Sequence, residues 1–147
     1  MIYVILYTIG FTKKTAKQFF ELLKRNCVKK IIDIRLNNKS QLAGFSKGDD
    51  LQYFLHEIAG ISYVHILMYA PTEDILKKYQ KGEISWAEYQ TKYLDLLEKR
   101  KIIETLEPVN LDGACLLCSE EHPDQCHRRL LAEYIQRQFR DIKIIHL

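Results

Sequence analysis

The sequence has few prolines and glycines, the residues that interrupt helices and strands, and no apolar stretch long enough to span a membrane. It contains 3 prolines and 6 glycines among 147 residues, which is unlike a long linker or a low-complexity segment. The apolar stretch near the amino terminus, MIYVILYTIG, is too short to span a bilayer and lacks the basic region of a signal peptide. We therefore expect a cytoplasmic protein that does not enter a membrane.

The charge and cysteine content are also unremarkable. The net charge is +3, which permits an anionic partner, but a dedicated nucleic-acid binder usually has a stronger or more clustered positive charge. The chain has 4 cysteines without a secretory signal, which indicates a reducing compartment and free thiols. A chain of 147 residues most simply forms one domain, over residues 1–147.

Apolar runs that alternate with helical patterns indicate the fold. Strands are predicted over residues 2–7, 28–34, 61–67, 114–118 and 143–147, with helices between them. This alternation predicts an α/β fold with a mostly parallel sheet of about five strands, with helices packed on it, in a single domain.

Capping residues predict where several helices begin and end. Thr12 or Thr15 can cap the first helix, and Asp49 or Asp50 the second, which Gly60 ends. Ser85 can cap a later and longer helix. The polar segment 35–49 is predicted to be a loop, and residues 101–113 give no clear pattern.

Polar residues collect where the predicted strands end. Ligands of open parallel sheets bind outside the carboxyl ends of the strands. We therefore expect a ligand site at this edge of the sheet, since the polar residues of three strand ends meet there. The expected ligand-binding residues are Thr8, Gly10, Thr12, Asp33, Arg35, Cys118 and Arg128.

Cations at two predicted helix starts indicate an anionic ligand. Lys13-Lys14 and Arg128-Arg129 stand where the helix dipole disfavours positive charge. An anion bound there, by free backbone N–H groups and an arginine, would account for them. The expected partner is a phosphate-bearing or other anionic small molecule, such as a nucleotide or a nucleic-acid end, and the sequence identifies no cofactor.

Asp33 and Arg35 stand two apart on a strand and therefore point to the same face. Asp33 would orient Arg35, which would hold the anion together with Arg128. The alternative is an ordinary buried ion pair that ties a loop to the strand end.

A reactive cysteine is a further possibility at the PDQCHRR segment. A helix start and a neighbouring arginine favour the thiolate form of Cys126, so it is a candidate nucleophile, with Glu120 and His127 as candidate catalytic partners. The alternative is an inert, partly buried thiol. A disulfide between Cys118 and Cys126 is sterically possible, although nothing in the sequence requires one.

Two other classes of function remain open. A metal-binding protein could use Cys118, His122 and Cys126, although we expect no metal, because no second C-x-x-C exists and a strand would place Cys115 and Cys118 on opposite faces. A non-catalytic nucleic-acid-binding module would use basic side chains as phosphate contacts. Those would be Lys13, Lys14, Lys29, Lys30, Arg128 and Arg129.

Several segments together resemble one protein family. They are TIGFTKK, IIDIR, SQLAGFSK, GISYVHI and LLCSEEHPDQCHRRLLAEY. In this combination, and above all in the C-x-E-x-x-P-x-x-C-H-R pattern that runs from Cys118 to Arg128, the chain resembles the "domain of unknown function 488" family. The resemblance implies an α/β fold and the positions of the site, but no reaction. Many relatives have histidine where this chain has Phe11, and a common proline is replaced by Asn37 and Asn38.

Overall fold

The computed structural model describes residues 3–39, 44–120 and 123–147. The described residues form an α/β fold around a five-stranded sheet in which every strand pair is parallel. The strands are β1 (Val4–Gly10), β2 (Lys30–Asp33), β3 (Ser62–His65), β4 (Ala114–Cys118) and β5 (Ile142–His146), and their spatial order is β3-β2-β4-β1-β5. The predicted fold class is confirmed.

Helices connect the strands and cover the sheet. They are α1 (Ala16–Arg25), α2 (Gly48–Phe54), α3 (Glu73–Gln80), α4 (Trp86–Lys99) and α5 (His127–Gln138). A π-helical turn, Leu55–Ala59, extends α2 and ends at the left-handed Gly60, as predicted. Short 3-10 turns cover Gly44–Ser46, Leu67–Tyr69, Ile102–Thr105 and Pro108–Leu111. None of the described helices is both long enough and apolar enough to cross a membrane.

Local capping explains most of the helix starts. Thr15 and Gln18 form a reciprocal capping box at the start of α1, and Ser85 caps α4 as predicted. The prediction that Asp49 or Asp50 caps the second helix is wrong. Lys47 occupies the N-cap, and both aspartates lie in the first turn of α2, where carboxylates favour the helix dipole.

The strand boundaries differ from the prediction by a few residues. β1 continues to Gly10, because Thr8 to Gly10 pair with Leu116 to Cys118 of β4. β2 and β3 are shorter than predicted, and β4 has the predicted bounds. Residues 2 and 40–43, which belong to a predicted strand and a predicted loop, lie outside the described residues.

The sheet separates two apolar cores. Helices α3, α4 and α5 cover one face, here called the α5 side, and α1 and α2 cover the other, here called the α1 side. Side chains of β4 alternate between the two cores: Leu116 and Cys118 pack on the α5 side, and Cys115 and Leu117 on the α1 side. The prediction that Cys115 and Cys118 lie on opposite faces is confirmed.

Candidate functional site

A cleft of about 240 Å³ lies at the carboxyl ends of β2 and β4. The segment after β2, the end of β4 and the start of α5 form part of it, and α3 and α4 supply its outer wall. The candidate site residues that line it are Arg35, Cys118, Glu120, Cys126 and His127. It therefore occupies the edge of the sheet at which open parallel sheets bind ligands.

Asp33 and Arg35 form a buried ion pair with two parallel hydrogen bonds. The Nε and Nη2 groups of Arg35 donate to Oδ1 and Oδ2 of Asp33 at 2.9 and 2.7 Å. The backbone N–H of Arg35 also donates to Oδ1 at 3.1 Å, and the hydroxyl of Tyr63 donates to Oδ2 at 2.6 Å. Burial, and then this bond to the carboxylate, raise the pKa of Tyr63. Each carboxylate oxygen of Asp33 therefore accepts two hydrogen bonds from neighbouring groups.

The same ion pair fixes a loop to the strand end. Arg35 Nη2 also donates to the carbonyl of Ser46 at 2.7 Å, and its guanidinium carbon lies 5.3 Å from the ring centre of Phe11. Since Phe11 belongs to the core on the α1 side, the two charged side chains share that face. These bonds use Nε and Nη2 of the guanidinium and leave Nη1 for other contacts.

Two histidines hold the backbone that follows Asp33. His127 Nε2 lies 2.8 Å from the carbonyl oxygen of Ile34, and His65 Nε2 lies 2.6 Å from that of Arg35. Because a carbonyl only accepts, each Nε2 carries the proton. Burial lowers the pKa of His127 to about 4 despite the opposing effect of its hydrogen bond. At neutral pH His127 is therefore an uncharged donor toward β2.

Arg128 lies completely buried behind Cys118. Its Nη1 group donates to Cys118 Sγ at 3.3 Å and to the carbonyl oxygen of Glu120. A Cβ atom at Gly10 would overlap both that carbonyl and the guanidinium of Arg128. Glycine at this position is thus what allows the loop after β4 and Arg128 to approach β1.

The expected cationic site is only partly assembled. Arg35 lines the cleft, whereas Arg128 is not among the residues that line it. The expectation that Lys13 and Lys14 begin a helix is wrong, because α1 starts at Ala16, after the Thr15 cap. Arg128 and Arg129 do lie in the first turn of α5, which has no acidic residue.

The two candidate threonines join neighbouring segments near the end of β1. Thr8 is completely buried, and its Oγ1 lies 2.6 Å from Nδ1 of His146 on β5. Thr12 donates from both its hydroxyl and its backbone N–H to the carbonyl of Ser119. Neither is among the residues that line the cleft.

Cys118 and Cys126 are brought together at the cleft. Cys118 ends β4, Cys126 is the N-cap residue of α5, and the structure pairs their sulfur atoms as a disulfide. Within the described ranges, no group of three or more His, Cys, Asp or Glu side chains could hold a metal ion. His122, the third ligand of the alternative metal site, lies outside the described residues.

The aromatic wall of the cleft was not anticipated from the sequence. Tyr79 of α3 and Tyr89 of α4 line the cleft, with ring centres 4.9 Å apart, and the Tyr79 hydroxyl donates to Oε1 of Gln125 at 3.2 Å. Helical spacing places Tyr89 and Tyr93 on one face of α4, but it does not show that this face reaches the strand ends. The role of Tyr63 was missed, although the alternation of polar rings at Tyr63 and His65 along β3 was a signal for it.

The basic residues of the nucleic-acid alternative do not share one surface. Lys29 and Lys30 precede or begin β2, at the amino edge of the sheet, whereas Lys13 and Lys14 follow the carboxyl end of β1. Arg128 is completely buried and cannot contact a phosphate of a surface-bound nucleic acid.

This geometry defines an α/β protein with a small cleft, lined by polar and aromatic side chains, at the carboxyl edge of a parallel sheet. The sequence model of the family "Domain of unknown function DUF488" matches residues 15–135. The chain belongs to this family, as the resemblance of its motifs predicted. No curated protein and no solved structure matches the chain significantly.

Proposed function

We propose that this protein binds a small phosphate-bearing anion in the cleft between the ends of β2 and β4 and the start of α5. The observation that carries the proposal is that Arg35, only 4% exposed, lines the same cleft as the first residues of α5. Asp33 holds the guanidinium in place through Nε and Nη2. Nη1 is not used by these bonds, and in this proposal it donates to an oxygen of the ligand.

The start of α5 supplies the second part of the proposed anion site. This helix has 12 residues, no side-chain hydrogen bond at its N-cap and no acidic residue in its first turn. Backbone N–H groups and the positive end of the helix dipole therefore favour an anion there. The buried guanidinium of Arg128, in the same turn, adds positive charge behind Cys118.

The remaining walls favour a ligand that also has an organic part. Tyr79, Tyr89 and Leu76 give an apolar surface, and Gln125 adds an amide. The volume of about 240 Å³ is below the roughly 300–1,000 Å³ of pockets that enclose drug-sized ligands. This size favours inorganic phosphate, a small phosphomonoester or the phosphate end of a nucleotide over a longer segment of nucleic acid.

Calorimetry with inorganic phosphate, ribose 5-phosphate and AMP tests the proposal. We expect at least one of them to bind, and we expect Arg35→Gln to weaken that binding about tenfold or more, as the loss of a charge-assisted contact predicts. Arg129→Gln is the matched control. Arg129 lies in the first turn of α5, but its guanidinium pairs with Glu133 and with the Asp124 carbonyl. Equal affinity of wild type and a folded Arg35→Gln, or no binding of any of the three, would refute the proposal.

A further inference from the structure

Cys118 and Cys126 differ from the other two cysteines of the chain. Both are almost completely buried, at 1% and 3% exposure, yet both line the cleft through which a small molecule can reach them. Their sulfur atoms are paired. Cys115 lies in the core on the opposite face of β4, and Cys27 is exposed and unpaired.

The surroundings of the pair favour thiolate chemistry. The guanidinium of Arg128 donates to Cys118 Sγ at 3.3 Å, and a neighbouring cation stabilises a thiolate. Cys126 stands at the N-cap of α5, where the helix dipole acts in the same direction. Cys115 is a contrast within the same strand, because burial outweighs the opposing charge of Arg128 and raises the pKa of its thiol.

We infer that Cys118 and Cys126 are a redox-active pair, in which Cys118 is the thiol oxidised first and Cys126 the thiol that resolves it. The inference goes beyond the proposed anion binding and does not depend on it. The direct guanidinium contact marks Cys118 as the attacking sulfur, and the near-complete burial of both thiols restricts the oxidant to a small hydroperoxide.

The chemistry of the pair balances with a hydroperoxide as oxidant. The Cys118 thiolate attacks the peroxide, the O–O bond breaks, and Cys118 becomes a sulfenic acid. Alkoxide, or hydroxide from hydrogen peroxide, leaves and takes up a proton from the solvent, which replaces the proton that the Cys118 thiol released when it ionised. The Cys126 thiol then attacks the sulfenic sulfur. The S–S bond forms, the S–O bond breaks, and the departing hydroxide takes the Cys126 proton as water.

Reduction by a dithiol returns the pair to its starting state through exchange with the S–S bond. The Cα atoms of the two cysteines lie 7.6 Å apart, and the pair joins the end of β4 to the start of α5.

Hydrogen peroxide and mass spectrometry test the inference on the full-length reduced protein. We expect peroxide to convert four alkylatable thiols to two and to link the peptides of Cys118 and Cys126, and we expect dithiothreitol to reverse this. In Cys126→Ser, dimedone should trap a sulfenic acid on Cys118, whereas Cys118→Ser should give no adduct on Cys126. Cys27→Ser and Cys115→Ser are controls that should keep the disulfide.

Arg128 provides a kinetic test. Arg128→Met should slow the oxidation of Cys118 about tenfold or more, whereas Arg129→Met should not, and the Cys126→Ser trapping result applies even if Arg128→Met does not fold. Four thiols remaining after peroxide treatment, an adduct on Cys126 but not on Cys118, or a disulfide that dithiothreitol does not reduce would each overturn the inference. Phosphate binding is measured separately on the reduced protein, so failure of either proposal is recognised independently.

Discussion

The imidazole of His127 donates a hydrogen bond to the carbonyl oxygen of Ile34, 93 positions away in the chain, at 2.8 Å. This bond joins the first turn of α5 to the backbone at the end of β2, two segments that border the cleft. The ring of Tyr93 packs edge-on against the same imidazole, with ring centres 5.5 Å apart. Burial keeps the pKa of His127 at about 4, so the start of α5 depends on an uncharged histidine.

The first prediction is a loss of stability in mild acid that depends on His127. The folded pKa of about 4 lies below the ordinary value of about 6.5, so between these values the unfolded chain binds more protons. The stabilisation of the folded state that comes from uncharged His127 is complete above about pH 6.5 and decreases as the pH falls toward 4. A pKa difference of this size corresponds to at most roughly 3 kcal/mol, and the partial exposure of the side chain reduces it.

Urea unfolding of wild type and His127→Gln between pH 7.5 and 4.5 measures this contribution. The variant should show a flatter dependence of the free energy of unfolding on pH. His56→Gln is the control, because His56 is 78% exposed, and it should keep the wild-type slope. Burial also lowers the pKa of His146. Its effect on the pH dependence of unfolding is present in all three proteins and cancels when they are compared. The same slope in wild type and His127→Gln would show that the His127–Ile34 contact is not linked to protonation.

The second prediction concerns the close approach at Gly10. Alanine there would place a methyl group on the Glu120 carbonyl and the Arg128 guanidinium, so Gly10→Ala should destabilise the fold by about 1–3 kcal/mol, the usual cost of overpacking. Gly44→Ala is the control, because a Cβ at Gly44 meets nothing within 4 Å. Thermal unfolding compares the two, and equal melting temperatures would contradict the close packing of β1 against this loop.

Sequence patterns predicted the periodic parts of the structure well. The ACLLC strand, the Ser85 cap and the turn at Gly60 depend on residues within a few positions of each other. The sequence patterns also predicted that the side chains of Asp33 and Arg35 share a face of the sheet, because the alternation of side chains along a strand is a local property. These elements could be located without knowledge of the tertiary structure.

The composition of the site was harder to predict, because it depends on which strands are neighbours. Nothing local indicates that Tyr63 reaches Asp33, or that the guanidinium of Arg128 turns toward Cys118 instead of opening into the cleft with Arg35. The strand order β3-β2-β4-β1-β5 places Tyr63 beside Asp33, and the packing of α5 on the sheet places Arg128 beside Cys118. The bonds between distant segments therefore depend on the tertiary structure and leave no local pattern in the sequence.

The third prediction separates the buried ion pair from surface pairs. Asp33→Ala leaves the buried guanidinium of Arg35 without its carboxylate, so it should cost about 3–5 kcal/mol. Asp74→Ala removes a pair with Lys78 whose side chains are 71% and 42% exposed, and it should cost about 0–1 kcal/mol. Urea unfolding of both variants at neutral pH and low salt makes the comparison. Similar small losses in both would show that Asp33 and Arg35 do not hold the strand end.

The fourth prediction concerns the hydroxyl of Tyr93, which donates to the carbonyl of Tyr69 at 2.6 Å within the core. This bond ties α4 to the turn before Pro71, which lines the cleft. Tyr93→Phe keeps the ring but leaves that carbonyl without this donor, so it should lower the free energy of unfolding by about 1–3 kcal/mol. Tyr53→Phe, at a side chain 61% exposed, should change it by less than about 0.5 kcal/mol.

Because the Tyr93 ring also packs against His127, loss of the hydroxyl alone should leave that packing in place, and the pH dependence of Tyr93→Phe should match that of wild type. A variant as stable as Tyr53→Phe would show that the bond contributes nothing to the position of this turn.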